Sequence, residues 1–315
     1  MEVACSASVG ISVFPDDGDS ATELIKHADA ALYRAKDQGR GTAQFYLSEF
    51  TAAANDRLAM EMQLRKALER GEFRVFYQPV LALDPASCHV GAEALLRWQR
   101  ADGTLVGPDR FIPLAEETGL IVPIGEWVLR QACRQARAWL DRGMPLERIA
   151  VNLSARQFRL AGIDRLVAEV LTETGLAPSR LALEITESAL MSDLEESVRR
   201  LDALRALGVS LAIDDFGTGY SSLAYLNRLS LDKLKIDQSF VRGLGQGANE
   251  TAIVRATVAM AHSLGLSTIA EGVETETQLE TVRALGCDAY QGYIVSRPVP
   301  PEQFERLPLF DRLTT

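Results

Sequence analysis

The sequence of 315 residues is 47% hydrophobic and carries a formal net charge of −10. That length suits one large domain with a smaller piece, or two medium domains, and the composition supports a substantial core. The acidic surplus repels phosphate backbones, so no nucleic-acid polymer is expected as a partner. Cys5, Cys88, Cys133 and Cys287 are scattered with no C-x-x-C pair, and there are only three histidines. Neither a structural zinc site nor a disulfide framework fits this pattern, and a reducing cytoplasmic setting does. The apolar start at 3–14 is short, interrupted by Ser and Gly, and lacks a basic flank, unlike a signal peptide. No apolar run is long enough to span a bilayer.

In chain order, residues 1–46 read as strand, turn, strand and helix. The β-rich stretch VACSASVGISVFP ends in a Pro15-Asp16-Asp17-Gly18 turn. Residues 21–39 have helical character, with Ser20 or Thr22 as cap and Gly39 as stop. This piece is too small for a barrel or sandwich and reads as the tail of a domain. Residues 47–70 predict a connecting helix with apolar positions at Leu58, Met62, Leu64 and Leu68. From Gly71 the pattern alternates between strands and helices. Strands are predicted at 73–83, 89–98, 149–154, 181–187, 210–215, 233–237, 267–272 and 289–294. Several are apolar on both faces, as parallel strands buried on both sides are. Ile124, Val128, Ala132, Ala136 and Leu140 share one helical face, as do Leu194, Val198 and Leu201. Gly175, Gly208, Gly265 and Gly286 each stand where a helix would stop before the next strand. About eight strands in about 240 residues matches a (β/α)8 barrel, with a doubly wound open sheet as the alternative.

Polar residues recur at one place in each unit. Glu93, Asn152, Glu184, Asp214 with Asp215, Asp237 and Glu271 each follow a short apolar strand. In a barrel these positions converge at the C-terminal rim, where sites of that fold lie. Five carboxylates in one mouth, Glu93, Glu184, Asp214, Asp215 and Glu271, must take up protons or bind cations. Oxygen donors with one Asn and no Cys or His favour Mg2+ or Mn2+ over zinc or copper. Two such ions together serve phosphoryl transfer. A single carboxylate at a strand end is ordinarily a helix cap or an ion-pair partner. Repetition over five strands is what points to a metal site. Lys235, within LDKLKID, faces either the barrel interior, as a cation beside the acids, or the exterior. The loop opening at Asp214 with FGTGYSS fits either a segment that closes over a ligand or an ordinary turn.

These residues resemble the EAL family of cyclic di-GMP phosphodiesterases over 71–310. The motifs are Glu93-Ala94-Leu95 with Leu96-Arg97-Trp98, Tyr77-Gln78-Pro79, VNLS at 151–154, LEITES at 183–188, and DDFGTGYSSL at 214–223. KID at 235–237, EGVE at 271–274 and QGY at 291–293 complete the set. The resemblance implies a TIM-like barrel with an antiparallel first strand, occupying 71–315 after a 47–70 linker helix. It implies one metal held by Glu93, Asn152, Glu184 and Asp214, and a second served by Asp214, Asp215 and Glu271. Lys235 would orient the hydrolytic water, with Glu271 also a candidate base. Gln78, Arg97, Glu274, Gln291 and Tyr293 fall at substrate positions, and Glu187 at the family's loop-anchoring position. The implied reaction is hydrolysis of cyclic di-GMP to linear pGpG with Mg2+ or Mn2+, and a homodimer is expected. No metal or lysine position departs from the pattern, which disfavours the alternative of a catalytically silent cyclic di-GMP receptor. An enolase-like barrel enzyme is disfavoured by Arg97 and the YQP strand. Residues 1–46 resemble the C-terminal part of a GGDEF diguanylate cyclase domain, through SASVGISVFPDDG and the segment 28–41. Its signature loop is absent, so no cyclase activity is expected. The chain thus reads as part of a longer sensor protein, with any membrane attachment assigned to a missing N-terminal region.

Overall fold

The computed structural model describes residues 6–37, 39, 41–84, 90–217, 226–245 and 248–311. Cys5, Cys88 and positions 218–223 of the DDFGTGYSSL motif lie outside the described residues. The chain divides into two units, Met1–Arg70 and Gly71–Thr315.

In the first unit, β1 (Val9–Ile11) pairs in parallel with β2 (Ala43–Phe45), and α1 (Ala21–Asp37) connects them. The order is therefore strand, turn, helix, strand, which corrects the expected strand, turn, strand, helix. The second half of the β-rich run folds back on itself instead of pairing. Val13 N donates to Asp17 Oδ2 at 2.7 Å, and Asp17 N to the Val13 carbonyl at 2.8 Å. Ser20 is the cap, its Oγ accepting from Glu23 N at 3.2 Å. The connecting helix α2 covers Ser48–Ala67. Its buried positions include Phe50, Met60, Leu64 and Ala67, whereas Leu58 and Met62 are 58% and 60% exposed. Positions 60, 64 and 67 share a face at helical spacing, and 58 and 62 lie on a different one.

The second unit is a closed barrel. Its strands are β3 (Phe73–Ala82), β4 (Val90–Gln99), β6 (Leu146–Leu153), β7 (Leu181–Thr186), β8 (Ser210–Phe216), β9 (Lys233–Ile236), β10 (Ser267–Ala270) and β11 (Ala289–Tyr290). The ring runs β3-β11-β10-β9-β8-β7-β6-β4 and closes through β3–β4, while β5 (Leu105–Val106) extends β4 outside it. Closure removes the open-sheet alternative. The first strand is antiparallel to both neighbours, and the remaining neighbouring pairs of the ring are parallel. The helices α3 (Pro108–Thr118), α4 (Ile121–Asp141), α5 (Ala155–Phe158), α6 (Ile163–Thr174), α7 (Glu187–Met191) and α8 (Leu194–Ala206) follow successive strands. The buried stripe of α4 includes Ile124, Val128, Ala132 and Ala136, as the 3.6-residue period requires. The four helix-stop glycines have φ of 66°, 89°, 74° and 82°, the left-handed region that glycine enters without steric cost. Among the described residues no helix is long and apolar enough to cross a membrane.

Apolar outward faces of the strands pack under the helices, with Leu183, Leu211, Ile213 and Leu234 fully buried. The inward faces differ from a standard barrel interior, which stacks bulky branched side chains. Here the layer below the mouth carries Gly91, Ala150, Ala182, Ala212 and Ala289, lining a cavity of about 230 Å³ that Glu184 borders from above. Small side chains below leave the polar layer above as the feature that fills the barrel mouth.

Candidate active site

Period-two alternation sets which strand residues look inward. Gln78 on β3 lies directly opposite Glu93 on β4. Asn152 on β6 lies opposite Glu184 on β7, and Asp214 on β8 opposite Thr186. Lys235 on β9 faces the interior and is 1% exposed, which settles the orientation that the pattern left open. Its Nζ lies 2.5 Å from Glu184 Oε2, 2.7 Å from Glu271 Oε1, 3.2 Å from Asp214 Oδ1 and 3.6 Å from Glu93 Oε2. One ammonium thus lies within 3.6 Å of carboxylates carried by four different strands or the residue just after one. The fifth, Asp215, joins Asp214 and Glu271 in a group whose ligand oxygens lie within 4.8 Å of one another. Asp215 has φ of 53°, unusual outside glycine. Its backbone N–H donates to Asp214 Oδ1 at 2.9 Å, so the two adjacent acids are fixed relative to each other.

Amides hold Glu93 from the sides. Asn152 Nδ2 donates to Glu93 Oε1 at 2.6 Å, and Gln291 Nε2 to Glu93 Oε2 at 2.6 Å. Gln291 Nε2 also reaches Gln78 Oε1 at 2.9 Å, and Gln78 Nε2 donates to the Ser296 carbonyl at 3.0 Å. Gln78 and Gln291, expected at substrate positions, are both buried and spend their amides on Glu93 and the turn after β11. Sequence reasoning missed Ser296 altogether, because a backbone carbonyl leaves no signal in the residue type. Asp237, at the end of β9, accepts from Ser239 N at 3.0 Å and caps the short helix Gln238–Arg242. There the ordinary reading of a strand-end acid holds.

The remaining expected positions lie toward the rim. Arg97 is on the same face of β4 as Glu93, four residues on. It lines a cavity of about 270 Å³ with Leu96, Pro108, Ile112, Asn152, Ser154 and Thr186. Burial lowers its pKa, against the opposing pull of Tyr293, Glu93 and Asp109. Tyr293 is 47% exposed and lies under the Arg297 guanidinium, 4.1 Å from the ring centroid. Glu274 is exposed. Glu187 is buried at the start of α7, and its Oε2 accepts from Gly217 N at 2.9 Å. That bond ties α7 to the residue from which the 218–223 segment departs. Glu187→Ala should therefore lower turnover about tenfold or more with little change in unfolding midpoint, while Glu187→Gln, which keeps an acceptor oxygen, should retain most activity. Equal losses in both variants would contradict the anchoring role.

Electrostatically, five carboxylates face one ammonium, a formal surplus of four negative charges. The protein's own compensation is to hold protons. Burial, reinforced by Glu93 and Asp214 and opposed by Lys235, pushes Glu184 well above the usual carboxylate range. Burial likewise pushes Glu271 up to about 8, and Asp215 is raised by burial and by Asp214. The surrounding acids, led by Asp214, hold Lys235 protonated against the cost of burying it. Two divalent cations would balance the same surplus, and the all-oxygen donor set with one amide fits Mg2+ or Mn2+. The residues present therefore fit such a pair. Because the folded-state pKa of Glu271 lies above the unfolded one, its contribution to stability is present below about pH 4.5. That contribution is lost as pH rises through about 8. Mg2+ should then raise the unfolding midpoint by several degrees more at about pH 8.5 than at about pH 5.5. A Mg2+ effect independent of pH would argue against this acid cluster as its binding site.

A closed barrel with an antiparallel first strand and an acidic mouth around a buried lysine defines the class, and the chain belongs to the EAL domain family, whose model matches residues 61–298. Residues 1–42 match the diguanylate cyclase GGDEF domain. The bifunctional diguanylate cyclase/cyclic di-GMP phosphodiesterase MucR of Pseudomonas aeruginosa is 50% identical over 96% of this chain and 44% of its own length. The cyclic di-GMP phosphodiesterase PdeR of Escherichia coli is 39% identical over 97% of this chain and 46% of its own. The chain thus spans under half the length of these relatives. A solved structure of the PaMucR phosphodiesterase in complex with c-di-GMP superposes with a TM-score of 0.75 at 49% identity, covering 78% of this chain and 99% of that one.

Proposed function

We propose that the barrel hydrolyses cyclic di-GMP to linear pGpG with two divalent cations, Mg2+ or Mn2+. The observation that carries this reading is Lys235, buried within 3.6 Å of four carboxylates, Glu93, Glu184, Asp214 and Glu271, at the barrel mouth. A structural ion pair needs one partner, whereas this arrangement concentrates more negative charge than the lysine neutralises. Glu93, Asn152, Glu184 and Asp214 would hold one cation, and Asp214, Asp215 and Glu271 the other. When bound, the pair supplies an acidified water and neutralises charge that builds on the phosphoryl group.

The chain's own residues do the rest. Lys235 presents N–H donors beside the reacting phosphate and holds the attacking water in line. Glu271 is placed to take up a proton. Asn152 and Gln291 fix both oxygens of Glu93, so that ligand needs no reorganisation when the site fills. Gln78 supports Gln291 in turn and serves the substrate through it. Arg97, Tyr293 and Glu274 on the rim are the positions we assign to the dinucleotide itself. An arginine suits phosphate oxygens, an aromatic ring suits a base face, and a carboxylate suits guanine N–H donors. The relatives named as cyclic di-GMP phosphodiesterases support the substrate. Incubation with cyclic di-GMP should give product only with added Mg2+ or Mn2+, and EDTA should stop it. Tight binding with the ligand recovered intact at every metal concentration would replace this reading with the receptor.

A further inference from the structure

The chain that leaves β11 makes a pinned turn at the barrel mouth. Ile294 N donates to the Val273 carbonyl at 3.1 Å, and Val295 N to the Gly292 carbonyl at 3.2 Å. A Cβ at Gly292 would run into the Val273 backbone, so the turn is seated directly on the residues that follow β10. At its far end the Ser296 carbonyl accepts from Gln78 Nε2 at 3.0 Å. Val299 and Tyr77 exchange both backbone hydrogen bonds, at 2.8 and 2.9 Å. Arg297 stands between these two anchors, with its carbonyl accepting from Ser296 Oγ at 2.7 Å. Its backbone is therefore tied to the strand that carries Gln78, while its side chain is exposed.

That side chain is unspent. Among the described residues the Arg297 guanidinium has no ion pair and no hydrogen bond, and it lies 4.1 Å from the centroid of the Tyr293 ring. Arg130, Arg137, Arg142 and Arg199, by contrast, each contact a carboxylate. Tyr293 also has a second cation near it. Burial lowers the pKa of Arg97, and Tyr293 opposes that more than Glu93 or Asp109 does, which puts its hydroxyl near the Arg97 guanidinium. The rim therefore carries a row of guanidinium, aromatic ring and guanidinium. Contact with the ring holds the long Arg297 side chain in place without using any of its N–H donors.

Charge balance indicates what this row is for. The five acids and Lys235 leave a surplus of four negative charges, which two divalent cations cancel. Cyclic di-GMP brings two phosphodiesters on opposite sides of its ring, each with one negative charge. A neutralised mouth can engage the phosphate at the metals, but it offers the other no net attraction, and the exposed Glu274 repels it. Taking cyclic di-GMP as the ligand of the mouth, we propose that Arg297 binds the phosphate that is not cleaved and so sets affinity for the cyclic dinucleotide. A guanidinium fork matches two phosphate oxygens at once. With Arg297 over one face of the Tyr293 ring, the opposite face is left for a base.

The test measures turnover of cyclic di-GMP by the full chain and two variants at saturating Mg2+. Arg297→Met keeps a long side chain over Tyr293 without charge or donors. It should raise KM about tenfold with kcat within about twofold. Arg297→Lys keeps the charge without the fork and should recover about half of that loss on a logarithmic scale. Raising NaCl from about 50 to about 500 mM should increase the KM of the parent at least about threefold more than that of Arg297→Met, which has lost an ionic contact to screen. Parity of Arg297→Met with the parent would make Arg297 a packing residue. A loss confined to kcat, an Arg297→Lys no better than Arg297→Met, or a KM rise with the salt dependence of the parent would equally overturn the proposal. A parent that binds cyclic di-GMP without cleaving it removes the hydrolytic reading alone. Dissociation constants of the same variants then decide on Arg297 by the same ratios.

Discussion

Lys235→Ala should lower turnover of cyclic di-GMP about 10²–10³-fold while changing ligand affinity only a few-fold. The expectation rests on where the ammonium sits. It is in contact with Glu184, Glu271 and Asp214 and within 3.6 Å of Glu93, among the acids we propose as metal ligands and apart from the positions we assign to the dinucleotide, Arg97, Tyr293 and Glu274. A second consequence separates this from a binding defect. Removing this buried cation leaves the acids facing each other, and loss of one partner from a buried pair costs about 3–5 kcal/mol. The metal-free variant should therefore be markedly less stable at high pH, where the acids cannot hold protons, and Mg2+ should restore most of the loss. Single-turnover rates and equilibrium binding, measured separately, decide the case. Near-wild-type turnover would remove Lys235 from the chemistry, and parallel losses of rate and affinity would make it a binding residue.

Glu93→Ala should abolish measurable hydrolysis, with no recovery at high Mg2+. The loss should exceed the roughly 10–100-fold that removing a supporting contact such as the Gln291 amide costs. Both Glu93 oxygens are claimed by donors, Asn152 Nδ2 and Gln291 Nε2. Even Glu93→Gln should fail, because its own NH2 would face one of those amide donors as well as lacking the charge. A metal titration followed by calorimetry should show fewer ions bound in Glu93→Ala than in the parent. An unchanged stoichiometry with full activity would contradict the ligand assignment.

The acids were legible in the sequence because strand chemistry is simple. A run of apolar residues followed by a carboxylate, repeated around a closed sheet, brings Glu93, Glu184, Asp214 and Glu271 together around Lys235, while Asp237 in the same pattern caps a helix. Glycine stops with positive φ at Gly175, Gly208, Gly265 and Gly286 marked where the helices end. Other features were not legible from pattern. Periodicity is the same for parallel and antiparallel strands, so the direction of β3 came only from the family resemblance. The three-residue β2, with its Ala-Gln-Phe sequence, gives too short an alternation to register, and the strand order of the first unit was misread as a result. On α2 the apolar residues fall on more than one face, and burial chose Met60, Leu64 and Ala67 over Leu58 and Met62. The amide relay from Ser296 through Gln78 and Gln291 to Glu93 joins residues about 200 positions apart, a relation that only the closed barrel creates. Lys235 shows the boundary most clearly. One residue type on one strand reads as interior or exterior with equal ease, and it was the ring of four carboxylates that fixed its orientation.

The most direct test is a single-turnover reaction of the protein with cyclic di-GMP and Mg2+ in water enriched in oxygen-18. The account predicts linear pGpG with one heavy oxygen in its newly freed terminal phosphate, and none of this product in EDTA. Recovery of intact cyclic di-GMP from folded, ligand-bound protein, or a linear product without the label, would contradict it.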